Sequence, residues 1–205
     1  MTVFAGLAPA LAGVLLLGGP IASAPRDRCV CASAVETNGW CAVHGVGYVG
    51  GVRVASPWLY EAVDAHGHQV DPASFVCPSC RSAVAADGFC EAHRIGFVGG
   101  DAYFSKLTYL LARAVPRSPD DTRCPDCRAH ATTQGWCTRC NVGMVGPFAF
   151  TDRREFDSAV EALRILKIAN EAAARCDRCA VAILTDSPCP RCKITYRGGV
   201  AVRTR

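Results

Sequence analysis

The sequence predicts a small α+β fold: four tandem β-hairpin units, each closed by cysteine and histidine side chains, with α-helices between them and a hydrophobic helix ahead of the first. Three observations predict it: one paired-ligand motif in four copies, a glycine-rich strand pattern after each copy, and amphipathic stripes between copies. The motif is clearest in Cys124-Pro-Asp-Cys127 followed by Cys137-Thr-Arg-Cys140. Its companions are Cys29-Val-Cys31 with Cys41-Ala-Val-His44, Cys77-Pro-Ser-Cys80 with Cys90-Glu-Ala-His93, and Cys176-Asp-Arg-Cys179 with Cys189-Pro-Arg-Cys192. In every copy ten positions separate the second member from the third, and the four copies use all 14 cysteines.

Two thiolates a short step apart, opposed by a second such pair, can surround a zinc ion as a tetrahedron with bonds of about 2.3 Å. Four such sets predict four bound ions. A disulfide framework is the competing reading of an even cysteine count. His44 and His93 in the fourth position argue for metal, because imidazole replaces thiolate on zinc but cannot enter a disulfide. No Cys-x-x-Cys-His occurs, which excludes covalent haem.

Aromatic residues make only 8% of the chain, and units of this size bury too little apolar surface to fold unaided. The sequence therefore predicts no single core, and predicts that losing metal unfolds each unit. The formal charge of +4 counts neutral thiols; with zinc and thiolates included it falls to about −2. That balance, and the absence of a basic-aromatic stripe, argue against a nucleic-acid partner. Arg191, Lys193, Arg197, Arg203 and Arg205 read as a solvated tail.

Residues 1–24 carry no charged side chain and are long enough to cross a bilayer as a helix. They also suit a secretory signal ending at Ala22-Ser-Ala24, but they lack a basic opening, and Pro25 follows the cut. An uncleaved single-pass anchor is the expectation, and Arg26 and Arg28 on its flank predict a cytoplasmic body. The alternative is a secreted or periplasmic protein after cleavage. The expected divisions are 1–24 anchor, 25–55 unit one, 56–72 first linker helix, 73–100 unit two, 101–119 second linker helix, 120–150 unit three, 151–174 third linker helix and 175–205 unit four with its tail.

Within units, Gly45–Gly51, Arg94–Gly100, Asn141–Pro147 and Lys193–Gly199 each read as a strand ended by a glycine turn. Asn38-Gly39, Asp87-Gly88 and Gln134-Gly135 read as hairpin turns between the ligand pairs, with Asp186-Ser-Pro188 a different turn in unit four. Between units, Ser56 caps a helix that should run to Gly67, with Pro57 in its first turn. Asp101 is the expected cap of a second, with Phe104, Leu107, Leu110, Leu111 and Ala114 on one face and Pro116 at its end. Asp152 and Glu155 form a capping box for the third, whose stripe is Phe156, Val160, Leu163, Leu166 and Ala173.

The paired knuckles resemble the zinc-ribbon family, in particular the short modules of double-zinc-ribbon proteins, over the ligand loops but not over the helices. The resemblance implies one zinc on Cys77, Cys80, Cys90 and His93, one on Cys124, Cys127, Cys137 and Cys140, and one on Cys176, Cys179, Cys189 and Cys192. The family places glycine after the second cysteine, where this chain has Arg81, Arg128 and Ala180. Unit one departs further: Arg28 stands where the others have cysteine, and Cys29 comes one residue late.

Closed four-ligand sites are structural, so the expected function is a membrane-tethered zinc scaffold that binds another protein. Envelope handling of zinc, copper or a heavy metal is the alternative, motivated by site one and the nearby His66 and His68. No nucleophile-base motif, phosphate loop or acid pair points to an enzyme or a small-molecule substrate, and each dithiol has a matching partner pair.

Overall fold

Each unit opens with a helix where the sequence predicts a hairpin turn. The computed structural model describes residues 30–118, 120 and 122–202. Unit one comprises α1 (Cys31–Thr37), β1 (Trp40–Cys41), β2 (Val46–Val49) and β3 (Val52–Val54), followed by α2 (Pro57–Val63). Unit two repeats this as α3 (Pro78–Ala85), β5 (Phe89–Cys90), β6 (Ile95–Val98), β7 (Asp101–Tyr103) and then α4 (Lys106–Arg113), with β4 (His68–Gln69) ahead of it. Unit three has β8 (Val115–Pro116), α5 (Pro125–Thr133), β9 (Gly135–Cys137), β10 (Val142–Val145) and β11 (Phe148–Phe150), followed by α6 (Arg153–Ala173). Unit four contains α7 (Asp177–Leu184), β12 (Thr195–Arg197) and β13 (Val200–Val202). The fold is thus small and α+β, with short antiparallel strands in the orders β1-β2-β3, β4-β7-β6-β5, β8-β11-β10-β9 and β12-β13.

In units two and three the first cysteine takes the N-cap and proline the first turn, as Cys77-Pro78 and Cys124-Pro125; Cys176 is the N-cap of α7 with Asp177 in its first turn, and Val30 is that of α1. They stop at left-handed residues: Asn38 at φ 55°, Asp87 at 47°, Gln134 at 60° and Asp186 at 53°. Gly39 N–H then donates to Ala34 O at 2.7 Å, Gly88 to Ala83 at 2.7 Å and Ser187 to Ala182 at 3.0 Å, the six-to-one bond of a helix end. Asn38-Gly39 and its counterparts are therefore helix terminators, and the expected hairpin turns between ligand pairs are corrected. The hairpins turn later, where Gly50–Gly51, Gly99–Gly100 and Gly198–Gly199 all have positive φ.

Two linker helices differ from expectation. Ser56 caps α2 by accepting from Leu59 N, but left-handed Asp64 ends it at Val63, short of Gly67. Asp101 caps nothing; it pairs in β7, and Ser105 is the N-cap of α4, leaving Phe104 outside the helix and 54% exposed. Strand pairing with Val98 claims Asp101 before the helix can. α6 begins as expected, with Asp152 accepting from the N–H groups of Arg154 and Glu155. The Glu155 carboxylate takes Arg113 Nε at 2.7 Å.

The apolar stripes do converge on one shared core, contrary to expectation. Val49 and Val54 of unit one, Leu59 and Val63 of α2, Leu107, Leu110 and Leu111 of α4, Val145 and Phe150 of unit three, Leu163 and Leu166 of α6, and Ile183 of α7 are all buried there. α6 runs through this core for 21 residues. Smaller apolar clusters surround the ligand sets of units two, three and four. Among the described residues no helix is long and apolar enough to cross a membrane. The expected helix over 1–24 lies outside the described residues.

Candidate metal centres

The first two ligands of a set stand at a helix start and the last two at a turn after a strand. Cys77 is the N-cap of α3 with Cys80 three residues on, and Cys90 ends β5 with His93 in the following turn. Cys124 and Cys127 of α5 and Cys176 and Cys179 of α7 repeat the first half. Because this pair opens a helix, Arg81, Arg128 and Ala180 are helical and need no glycine. The left-handed residue instead follows the fourth ligand: Gly45 at φ 59°, Arg94 at 56°, Asn141 at 54° and Lys193 at 58°.

Four clusters result, each with ligand atoms within 4.8 Å of one another: Cys77, Cys80, Cys90, His93; Cys124, Cys127, Cys137, Cys140; Cys176, Cys179, Cys189, Cys192; and Cys31, Cys41, His44. Cys29, the expected fourth member of the last, lies outside the described residues. Bonds of about 2.3 Å to a tetrahedral ion imply sulfur separations near 3.8 Å. Cys124 and Cys137 Sγ are 3.9 Å apart, as are Cys192 and Cys176. His93 Nδ1 lies 3.3 Å from Cys80 Sγ and 3.6 Å from Cys90 Sγ, and His44 Nδ1 lies 3.2 and 3.5 Å from Cys31 and Cys41. The spacings fit a metal ion. The fourth member of each set, His44, His93, Cys140 or Cys192, is exposed, while the others are buried or half-buried.

Their electrostatics fit as well. The N–H of Cys80 holds the Cys77 thiol down to about 7 against the opposing effect of burial, and the N–H of Cys127 does the same for Cys124. Burial pushes Cys80 and Cys179 up to about 12. Burial also raises Cys41, yet the N–H and ring of His44 bring it to about 6. Thiolate and thiol side by side share protons where a divalent cation would neutralise several sulfurs at once.

Outside the ligands, the Cys31 sulfur, followed by burial, pushes the Tyr48 hydroxyl up, and the Cys179 sulfur, followed by burial, pushes Tyr196 up to about 12. Buried Phe97 and Met144 hold the same position in units two and three. Hydroxyl groups beside thiolate ligands tune them.

Each of the first three units is locked to the helix that follows it. Tyr60, Tyr109 and Phe156 lie on Gly47, Gly96 and Gly143, where an added Cβ would meet the ring at 2.2 Å. Their rings also meet Trp40, Phe89 and Trp136, the residues just before the third ligands, at 5.2, 5.3 and 5.5 Å. Thr195 takes the glycine's place in unit four.

Sequence reasoning missed a further device. Asn38 Oδ1 accepts from Gly50 N at 2.8 Å, Asp87 Oδ1 from Gly99 N at 2.9 Å and Asp186 Oδ1 from Gly198 N at 2.7 Å. One side chain thus ends the helix and clamps the hairpin turn. The available signal is an Asn or Asp seven residues after the second ligand in three units, including unit four, where the sequence reads Asp186 as part of a different turn. His66 and His68 join no cluster among the described residues; His68 Nε2 sits 2.6 Å from Asp64 Oδ1.

The chain matches no protein-family model, no curated protein and no solved structure, so its likeness to zinc ribbons rests on ligand spacing.

Proposed function

We propose that the chain is a zinc-binding scaffold, tethered to a membrane through residues 1–24, whose body presents a surface to another protein. One observation carries the reading: three complete sets of four Cys or His donors, and a fourth set of the same design, are spaced for tetrahedral coordination around one shared core. Four protein donors leave no coordination position for a substrate, which supports a structural role over an enzymatic one. Cysteines that must stay reduced to hold metal, and the flanking Arg26 and Arg28, support a cytoplasmic body.

A second reading, metal handling at the envelope, is favoured by the exposed fourth donor of each set. An outward donor is the first to be displaced by a competing chelator. One titration separates the two readings. Purified chain is exposed to rising chelator while released metal and circular dichroism are followed together. The scaffold loses structure in step with metal; a handler surrenders metal from some sites with its spectrum unchanged. Fractionation of cells expressing the chain with and without residues 1–24 tests the tether, which fails if both forms are equally soluble.

A further inference from the structure

Among the described residues, units two and three each carry a strand that unit four lacks. In unit two, β4 adds to the outer edge of β7, with His68 opposite Ala102; in unit three, β8 adds to β11, with Val115 opposite Ala149. The added strand comes from the linker, beginning at His68 ahead of Cys77 and at Val115 ahead of Cys124, nine residues in both cases. The same offset from Cys176 falls on Lys167, in the middle of α6. A residue committed to that helix cannot cover the edge of β13, so among the described residues no strand pairs with that edge.

The open edge has defined hydrogen-bonding groups. Gly198–Gly199 is a two-residue turn, which makes Arg197 and Val200 the inward-bonded pair. Ala201 therefore points its N–H and C=O outward. Its counterparts Ala102 and Ala149 are 1% and 3% exposed beneath their added strands, and the bond from Arg117 N to Pro147 O at 2.7 Å shows the same register in unit three. At this position unit one has Arg53, a charge of the kind that guards edge strands. Unit four has alanine there, between Val200 at 61% and Val202 at 39% exposure.

We propose that the outer edge of β13 receives an extended, acidic segment of another protein as an added antiparallel strand, with apolar side chains alternating against Val200 and Val202. This inference rests on the scaffold reading and names the kind of partner. Charge selects it. Arg197 lies opposite Val200. The nearby acids are engaged: Asp186 holds Gly198 N and Arg94, and Glu161 holds Arg164. A second copy would offer only Val200, Ala201 and Val202 on this strand, with no acidic side chain for Arg197, so it is disfavoured. Backbone pairing supplies affinity and the alternating side chains supply specificity, as in other strand-addition complexes.

The test uses the full zinc-loaded chain and a labelled eight-residue peptide of alternating glutamate and valine. Saturable binding is expected, with slowed hydrogen exchange at the Ala201 amide. Ala201→Pro removes the outward N–H and should weaken binding about tenfold. Arg197→Glu, which leaves the backbone intact, should weaken the acidic peptide and admit one of alternating lysine and valine. Absence of saturable binding, equal binding by both variants, or self-association abolished by Ala201→Pro overturns the proposal. Zinc content measured on every sample separates the two failures. Without zinc the scaffold reading falls; with zinc present and no peptide bound, only the strand-addition proposal does.

Discussion

Lys193 adopts φ 58° directly after the last ligand of unit four, a region that costs a residue with a Cβ about 1–2 kcal/mol. Gly45 meets the same requirement in unit one without strain, and Asn141 is a residue type that tolerates it. Lys193→Gly should therefore stabilise the chain by about 1 kcal/mol, less the entropy glycine loses on folding. A raised urea midpoint checks it. Asp152 yields a pH-dependent prediction. The N–H groups of Glu155 and Arg154 hold its carboxyl below the usual carboxylate range, so folding favours its charged form. Its contribution is full above the ordinary carboxylate pKa and fades as pH falls through the lowered value. Asp152→Asn keeps a cap but removes the charge. The wild-type advantage over this variant should be present at neutral pH and vanish in acid, as read from urea midpoints across pH.

Among the elements, α6 was the most readable, because its stripe spans several turns and its cap is local: Asp152 and the face through Phe156, Leu163 and Leu166 stand where the periodicity predicts. The unit helices were hidden. They run only 7 to 9 residues, one of those positions and in three of them the N-cap as well is spent on a ligand, and glycine or a turn-former at their ends looks the same in a hairpin. The added strands β4 and β8 are two residues each and make sense only once β7 and β11 offer an edge. Since α6 packs against α2, α4 and elements of units one, three and four, its central side chains should matter globally. Leu163 is fully buried, and Leu163→Ala should cost about 2–5 kcal/mol. A single cooperative unfolding transition, shifted as a whole, is the expected result; a shift confined to one of several transitions would contradict it.

For the molecule as a whole, the ligand sets could be read from spacing because each is local, whereas the shared core joins residues as distant as Val49 and Ile183 and has no signature in any window. Metal and core therefore act together: the ions would close each unit's ligand loops, and the helices between units bury the apolar surface that no unit could bury alone. Native mass spectrometry of the reduced-state chain, purified without added metal or chelator, examines this most directly. Four zinc ions per chain are predicted, with every cysteine reactive as a free thiol once the protein is denatured and the metal stripped. A metal-free chain whose sulfurs are paired as disulfides would contradict it.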